Sequence, residues 1–199
     1  LAFIEAVAFV PVAQAQEAVT AVKQLSAPRA VIEAESLAEK AKVSAGPVTV
    51  QNMQPFGVQW GGGAQLFWRP PAPVDKPIRN WPHLTTSLEA PADGEYSIVL
   101  YYTVAPDFGT FRVFLNGEPV KDVSGYAPAV GLRKLELAKT HLKAGSQQLV
   151  FTVFSKEPAA TNYFVGLDRF EVRQVQAATG TAAAAQLPGS VGRGSMGTS

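Results

Sequence analysis

The chain has 199 residues, 47% of them hydrophobic, with 17 basic against 16 acidic side chains and no cysteine. That length suits one domain with appendages and is enough to bury a core. A formal net charge of +1 removes the electrostatic case for nucleic acid, and the lack of cysteine excludes disulfides, thiolate zinc sites and cysteine nucleophiles.

Residues 1–28 read as an N-terminal arm or a signal remnant. The first 13 are apolar apart from Glu5 and Pro11. As a helix they would reach about 20 Å, short of the roughly 30 Å hydrocarbon core of a bilayer. They are expected to be the end of a secretory signal, with Ala13-Gln14-Ala15 as the small-residue cleavage site, or a retained arm that docks on a membrane or a partner. Ala15, Ala18, Val19, Val22 and Leu25 recur at helical spacing, which predicts a short amphipathic helix over residues 14–26, stopped by Pro28.

From residue 29 to 175 the apolar period is close to two, and strands are expected in series. Residues 31–35, 48–51, 57–60 and 64–68 come first, the last following Gly61-Gly62-Gly63. Residues 69–81 carry Pro70, Pro71, Pro73 and Pro77, with Pro82 just beyond, so a surface excursion is predicted there rather than a central strand. Strands are predicted again over 83–89 and 96–103. Residues 110–115 then meet Asn116-Gly117, a strong hairpin signal, and the chain returns through Glu118-Pro119-Val120. Residues 132–137, 148–154 and 163–172 complete the set. Eight to ten short strands without a long internal helix predict an all-β antiparallel sandwich, with a jelly-roll topology.

Residues 176–199 turn to Ala, Gly, Ser and Thr and read as a low-complexity tail. The run Gly192-Arg193-Gly194-Ser195-Met196-Gly197 fits G-x-G-x-x-G but has neither a strand before it nor a helix after it, so it is no dinucleotide site.

Four segments in order carry a family resemblance. They are Ile32-Glu33-Ala34-Glu35, Gly94-Glu95-Tyr96, Leu142-Lys143-Ala144-Gly145, and Gly166-Leu167-Asp168-Arg169-Phe170. Together they resemble the opening, internal and closing strands of family 6 and family 35 carbohydrate-binding modules. Residues 102–109 and 113–117 are also similar to sandwich domains appended to bacterial glycoside hydrolase-like proteins. The resemblance implies a β-jelly-roll that binds a polysaccharide or glycan without cleaving it, and a structural calcium.

The residues can be weighed against that implication. In a strand, Glu33 and Glu35 would share one face, where two close like charges need a cation or arginines, or else solvent on an edge strand. Asp168 on the final strand would add a hard oxygen, so Glu33, Glu35 and Asp168 are the candidate calcium ligands. Sugar rings stack on aromatic faces while their hydroxyls seek polar groups. Trp81 with Asn80 in the proline-rich excursion, Tyr126, and Asp107 with Phe108 are the candidate ligand-binding residues. Trp60 and Trp68 lie in strand patterns and are expected in the core.

No enzyme is expected. No spacing nominates a carboxylate pair, His83 and His141 lack metal-ligand spacing, and no serine sits in G-x-S-x-G. Two functions stay open. One is a non-catalytic carbohydrate-binding sandwich of a secreted or periplasmic protein. The other is an accessory subunit of a membrane-associated envelope complex, contacted through Leu1 to Leu25.

Overall fold

A computed structural model describes residues 29–74, 77 and 80–175. The expected arm, the helix over 14–26 and the tail lie outside the described residues. Within them the chain forms β1 (Arg29–Glu33), β2 (Lys42–Val43), β3 (Val48–Asn52), β4 (Ala64–Trp68), β5 (His83–Ala90), β6 (Gly94–Val104), β7 (Thr110–Leu115), β8 (Glu118–Ser124), β9 (Gly131–Leu142), β10 (Gly145–Ser155) and β11 (Val165–Val175). Eleven strands exceed the eight to ten expected, because the two-residue β2 is too short to leave a period in the sequence.

Every strand pairing is antiparallel, and the strands form two sheets. One runs β3-β4-β11-β6-β9, with β1 added beside β11, and the other runs β2-β5-β10-β7-β8. The all-β sandwich read from the alternation is therefore the observed architecture. Alternation also decides what the sheets bury. Leu66 and Trp68 of β4, Ile98 and Leu100 of β6, and Phe170 of β11 face Leu84, Phe111, Val113, Phe151 and Val153 across the core. Aromatic contacts cross between the sheets, edge-on from Tyr102 to Phe111 and tilted from Phe151 to Phe170. Burying an aliphatic or aromatic side chain of this size contributes about 1.5–3 kcal/mol.

The hairpin at Asn116-Gly117 is present, with both residues at positive φ (52° and 90°), as a two-residue turn of that kind requires. Two expectations near the site fail. Residues 57–60 do not extend a strand: Gln54–Phe56 is a 3-10 turn, ended at Gly57 by a φ of 132° that a side chain would resist. Nor does the first strand reach Glu35. It stops at Glu33, and Ala34–Leu37 winds into a 3-10 turn that packs Ala34 into the core. Glu33 and Glu35 are thus not strand neighbours on one face.

Candidate functional site

At the end of the sandwich where β6 and β4 finish, the outer face of the β3-β4-β11-β6-β9 sheet is hollowed. Its floor is formed by adjacent strands. Gly166 of β11 pairs with Phe67 of β4 on one side and Thr103 of β6 on the other. A Cβ at Gly166 would overlap Gln65 Oε1 and lie 2.9 Å from the ring of Phe108. Glycine inside a strand here marks close approach of neighbouring groups.

Four polar groups join in series beneath the hollow. Trp60 Nε1–H donates to Thr103 Oγ1 at 2.8 Å, Thr103 donates in turn to Gln65 Oε1, and Gln65 Nε2–H donates to Gln51 Oε1 at 2.6 Å. Gln65 and Thr103 are each only 1% exposed although they lie on the outward side of their strands. The relay is what makes that burial affordable, since a buried polar atom left unpaired costs about 1–3 kcal/mol.

Above this floor stand aromatic walls. The Phe67 and Phe108 rings stack with centroids 6.0 Å apart at 23°, and Phe164 meets Phe67 edge-on at 5.5 Å. Gln51, Phe56, Asp107 and Val130 complete a pocket of about 260 Å³. That is slightly below the usual range of about 300–1,000 Å³ for small-ligand sites. Among the described residues of the lining, Asp107 is the one charged side chain.

The residues nominated from sequence divide around this pocket. Asp107 and Phe108 line it. Tyr126 lies beside it in the same loop cluster: it bridges to Ala105, and its own amide rests on Ser124 Oγ at 3.4 Å. Trp81 is on the opposite sheet, stacked on Phe154 of β10 with centroids 6.1 Å apart. Asn80 is exposed next to it, its amide donating to the Pro77 carbonyl at 2.8 Å. The nominated set is therefore split between two faces. Trp68 is in the core as expected; Trp60 is buried, but as the start of the polar relay. Gln51, Gln65, Phe67 and Thr103 carried no distinctive sequence signal. The glycine at 166, inside an otherwise apolar strand, was the available hint.

The acidic residues gather next door. β11 pairs with β4 up to Leu167 and with β1 from Arg169 onward, and its register against β6 shifts between those two residues. Asp168 is the extra residue of that bulge, fully buried, and the turn Gly61–Gly63 fills the gap beside it. The Gly61 amide donates to Asp168 Oδ1 at 2.8 Å, and Arg169 pairs with Oδ2. Glu33 and Glu35 press on the same turn, so closely that a Cβ at Gly61 would overlap the Glu33 carboxylate. Burial pushes the Asp168 carboxyl up to about 6, Arg169 and the Gly61 amide opposing and Glu33 adding to the rise. Burial also raises Glu35, with a smaller contribution from Glu33.

These groups fit a hard cation in part. Oε2 of Glu33 and Oε2 of Glu35 are buried without a hydrogen-bond donor, as ligand oxygens would be. Asp168 already engages both its oxygens. Among the described residues, no three acidic or histidine side chains converge tightly enough to hold a metal by themselves. Calcium takes about 6–8 oxygens, so main-chain and water oxygens would supply most of the shell.

No family model matches the chain, and no curated protein does at a significant level. Among solved structures it is similar to part of a Paenibacillus xanthan lyase, with 17% identity and a TM-score of 0.58 over 73% of this chain and 13% of that one. It is also similar to a family 35 carbohydrate binding module from Clostridium thermocellum, at 15% identity and TM-score 0.44 over 75% of this chain and 100% of that one. A Podospora anserina GH26-CBM35 β-(1,4)-mannanase gives 16% and 0.46, over 75% and 28%. The first likeness establishes a shared β-sandwich fold, and this chain spans a small part of the lyase's length.

Proposed function

We propose that the chain is a non-catalytic carbohydrate-binding sandwich whose ligand enters the pocket of Phe67, Phe108, Gln65 and Asp107. The observation that carries this reading is the combination of stacked rings and a satisfied polar floor in one small hollow. A sugar ring offers apolar faces and equatorial hydroxyls, so it needs both kinds of surface at once. A volume of about 260 Å³ favours one ring, held at its edge by the Asp107 carboxylate, over a long chain segment. The fold likeness to part of a protein named for xanthan is consistent with a glycan ligand.

Binding without cleavage is the reading the lining favours. Hydrolysis of a glycoside uses two carboxyl groups across the scissile bond, and among the described residues of the lining Asp107 is the one carboxylate. Calcium, held by Glu33 and Glu35 against the Gly61–Gly63 turn, would act as a structural prop: it would neutralise two buried like charges and stiffen the turn from which Trp60 reaches the pocket floor. A secreted or periplasmic location accords with this reading.

Calorimetric titration of the full chain against a panel of polysaccharides and their oligosaccharides, in calcium and in chelator, tests it. Saturable binding that Phe67→Ala and Asp107→Ala abolish is expected. Binding that survives both variants, or no binding by a folded protein to any member of the panel, overturns the assignment.

A further inference from the structure

Strand β3 is an outer edge of the β3-β4-β11-β6-β9 sheet: it pairs with β4, and no strand lies beyond it among the described residues. Two bonds fix which way its backbone groups point. The Arg69 amide donates to the Pro47 carbonyl at 3.0 Å, and the Met53 amide donates to the Gly63 carbonyl at 2.8 Å. Odd-numbered residues therefore turn their amides and carbonyls to β4, and Val48, Val50 and Asn52 turn theirs to the open edge. Natural sandwiches guard such edges with charge, proline or a bulge. β8 does so with Glu118, Pro119 and Lys121, and β9 with Arg133, Lys134 and Lys139. β3 reads Val-Thr-Val-Gln-Asn in unbroken register and has none of these guards. Residues 43–68 as a whole contain no Asp, Glu, Lys, Arg or His, and depletion of charge marks the core of an interface. Within that stretch Val50, Phe56 and Val58 are exposed. Val50 pairs with Leu66 and so points to the core side of the sheet, yet it is 56% exposed, left uncovered by the described residues.

We propose that this edge is occupied by a second copy of the chain, paired antiparallel through β3 about a two-fold axis at Val50. In that register Val50 lies against the partner's Val50, Thr49 against the partner's Gln51, and Val48 against the partner's Asn52. Two features favour a copy over a foreign strand. The segment is self-complementary: one register satisfies the outward backbone groups of Val48, Val50 and Asn52 and covers each uncovered valine with the other. The edge is also neutral, so it meets no repulsion from its own copy and offers a charged peptide nothing to pair with. The axis stands perpendicular to the sheet, which then continues from one protomer into the next with both Phe67–Phe108 pockets opening on the same side. That both pockets would meet one glycan surface rests on the glycan reading; the dimer itself does not.

Sedimentation of the full chain in the absence of glycan tests this, so the result stands whether or not the pocket takes a sugar. The parent is expected to be a dimer at about 100 μM and to dissociate on dilution toward about 1 μM. Val50→Lys sets two ammonium groups face to face at an already exposed position, so the fold is spared and the dissociation constant should rise at least about tenfold. Crosslinking reads the register, since the chain has no native cysteine. Val50→Cys places the two α-carbons about 5.5 Å apart, within disulfide reach, whereas Asn52→Cys places them about 14 Å apart. At one concentration and under mild oxidation, Val50→Cys should form the covalent dimer at least about tenfold faster than Asn52→Cys. A folded parent that is monomeric at about 100 μM overturns the proposal and leaves the edge to a different partner. So does a dimer that Val50→Lys leaves intact, or equal crosslinking rates, either of which would put self-association elsewhere on the molecule.

Discussion

Trp60 and Thr103, 43 residues apart, are joined by a 2.8 Å hydrogen bond from the indole N–H to the threonine hydroxyl. The residue after Trp60 turns the other way, and its amide holds Asp168 at 2.8 Å. One turn therefore fixes both the floor of the pocket and the buried carboxylate cluster. A displacement of this turn, unlike a movement of the carboxylates alone, is expected to reach the pocket without touching any residue of its lining.

Removing the hydroxyl of Thr103 isolates the relay. Thr103→Val keeps shape and β-propensity but strands the Trp60 N–H and frees Gln65 Oε1 in a buried setting. A loss of about 1–3 kcal/mol in denaturant unfolding is expected, together with weaker glycan binding as Gln65 reorients. A variant as stable as the parent would show that the relay is not holding the floor.

Acidity acts on the aspartates in opposite directions. The Asp168 carboxyl is raised from an ordinary 3.8 to about 6, so its contribution to stability is complete below about 3.8 and is lost as pH rises through 6. Asp122 and Asp93 are lowered, chiefly by hydrogen bonds from Arg112 and Lys143 respectively, so their contributions hold above 3.8 and disappear on acidification. Comparing the parent with Asp168→Asn in chelator separates the two. The stability advantage of the parent over the variant should shrink between pH 4 and pH 6, and a difference that is flat over that range contradicts the burial argument. Added calcium should raise the melting temperature more at pH 7 than at pH 4.5, since its ligands must be deprotonated.

The extent to which the sequence foretold this can be seen in particular residues. Alternation identified most strands, and Asn116-Gly117 located its hairpin, because both signals are local and backbone-driven. Asp107 and Phe108 were found as a loop pair. Gln65 and Thr103 were not, since a polar residue at an outward strand position ordinarily faces water. Their burial arises only when β4, β11 and β6 lie side by side with Gly166 between them. Asp168 was nominated as an acid on the last strand, but the bulge that turns it onto the Gly61 amide is a matter of pairing register. Trp81 in its proline-rich loop reads equally as a ligand platform or a loop anchor; its stacking partner Phe154, which the sequence does not point to, is 73 residues away.

That stacking gives a prediction in which two readings diverge. Trp81→Ala removes an aromatic contact on Phe154, and Arg112, whose guanidinium lies 5.5 Å from the Phe154 ring centroid, keeps only one side of the arrangement. Aromatic pairs of this kind contribute about 0.5–1.5 kcal/mol beyond area burial, so a modest loss of stability is expected. Glycan affinity at the Phe67–Phe108 pocket should stay unchanged. Loss of binding with intact folding would move the ligand to the opposite sheet.

The sharpest test of the coupled turn is Gly61→Ala. A Cβ there would overlap Glu33 Oε2 and lie 2.9 Å from both Glu33 Cδ and Oε1, with no flexible chain end to yield except the glutamate itself. Either the glutamate moves or the turn does. If the glutamate moves, the calcium response is lost and the pocket survives. If the turn moves, the Trp60 indole is withdrawn from Thr103, and glycan binding falls together with calcium binding. The bond from the Gly61 amide to Asp168 ties the turn to a fully buried strand residue, so displacement of Glu33 is the smaller change and the first outcome is expected. Crowding of this sort costs about 1–3 kcal/mol. Calorimetry with calcium and with the glycan on the same variant distinguishes the cases, and an unaltered calcium response would remove Glu33 from the cation site.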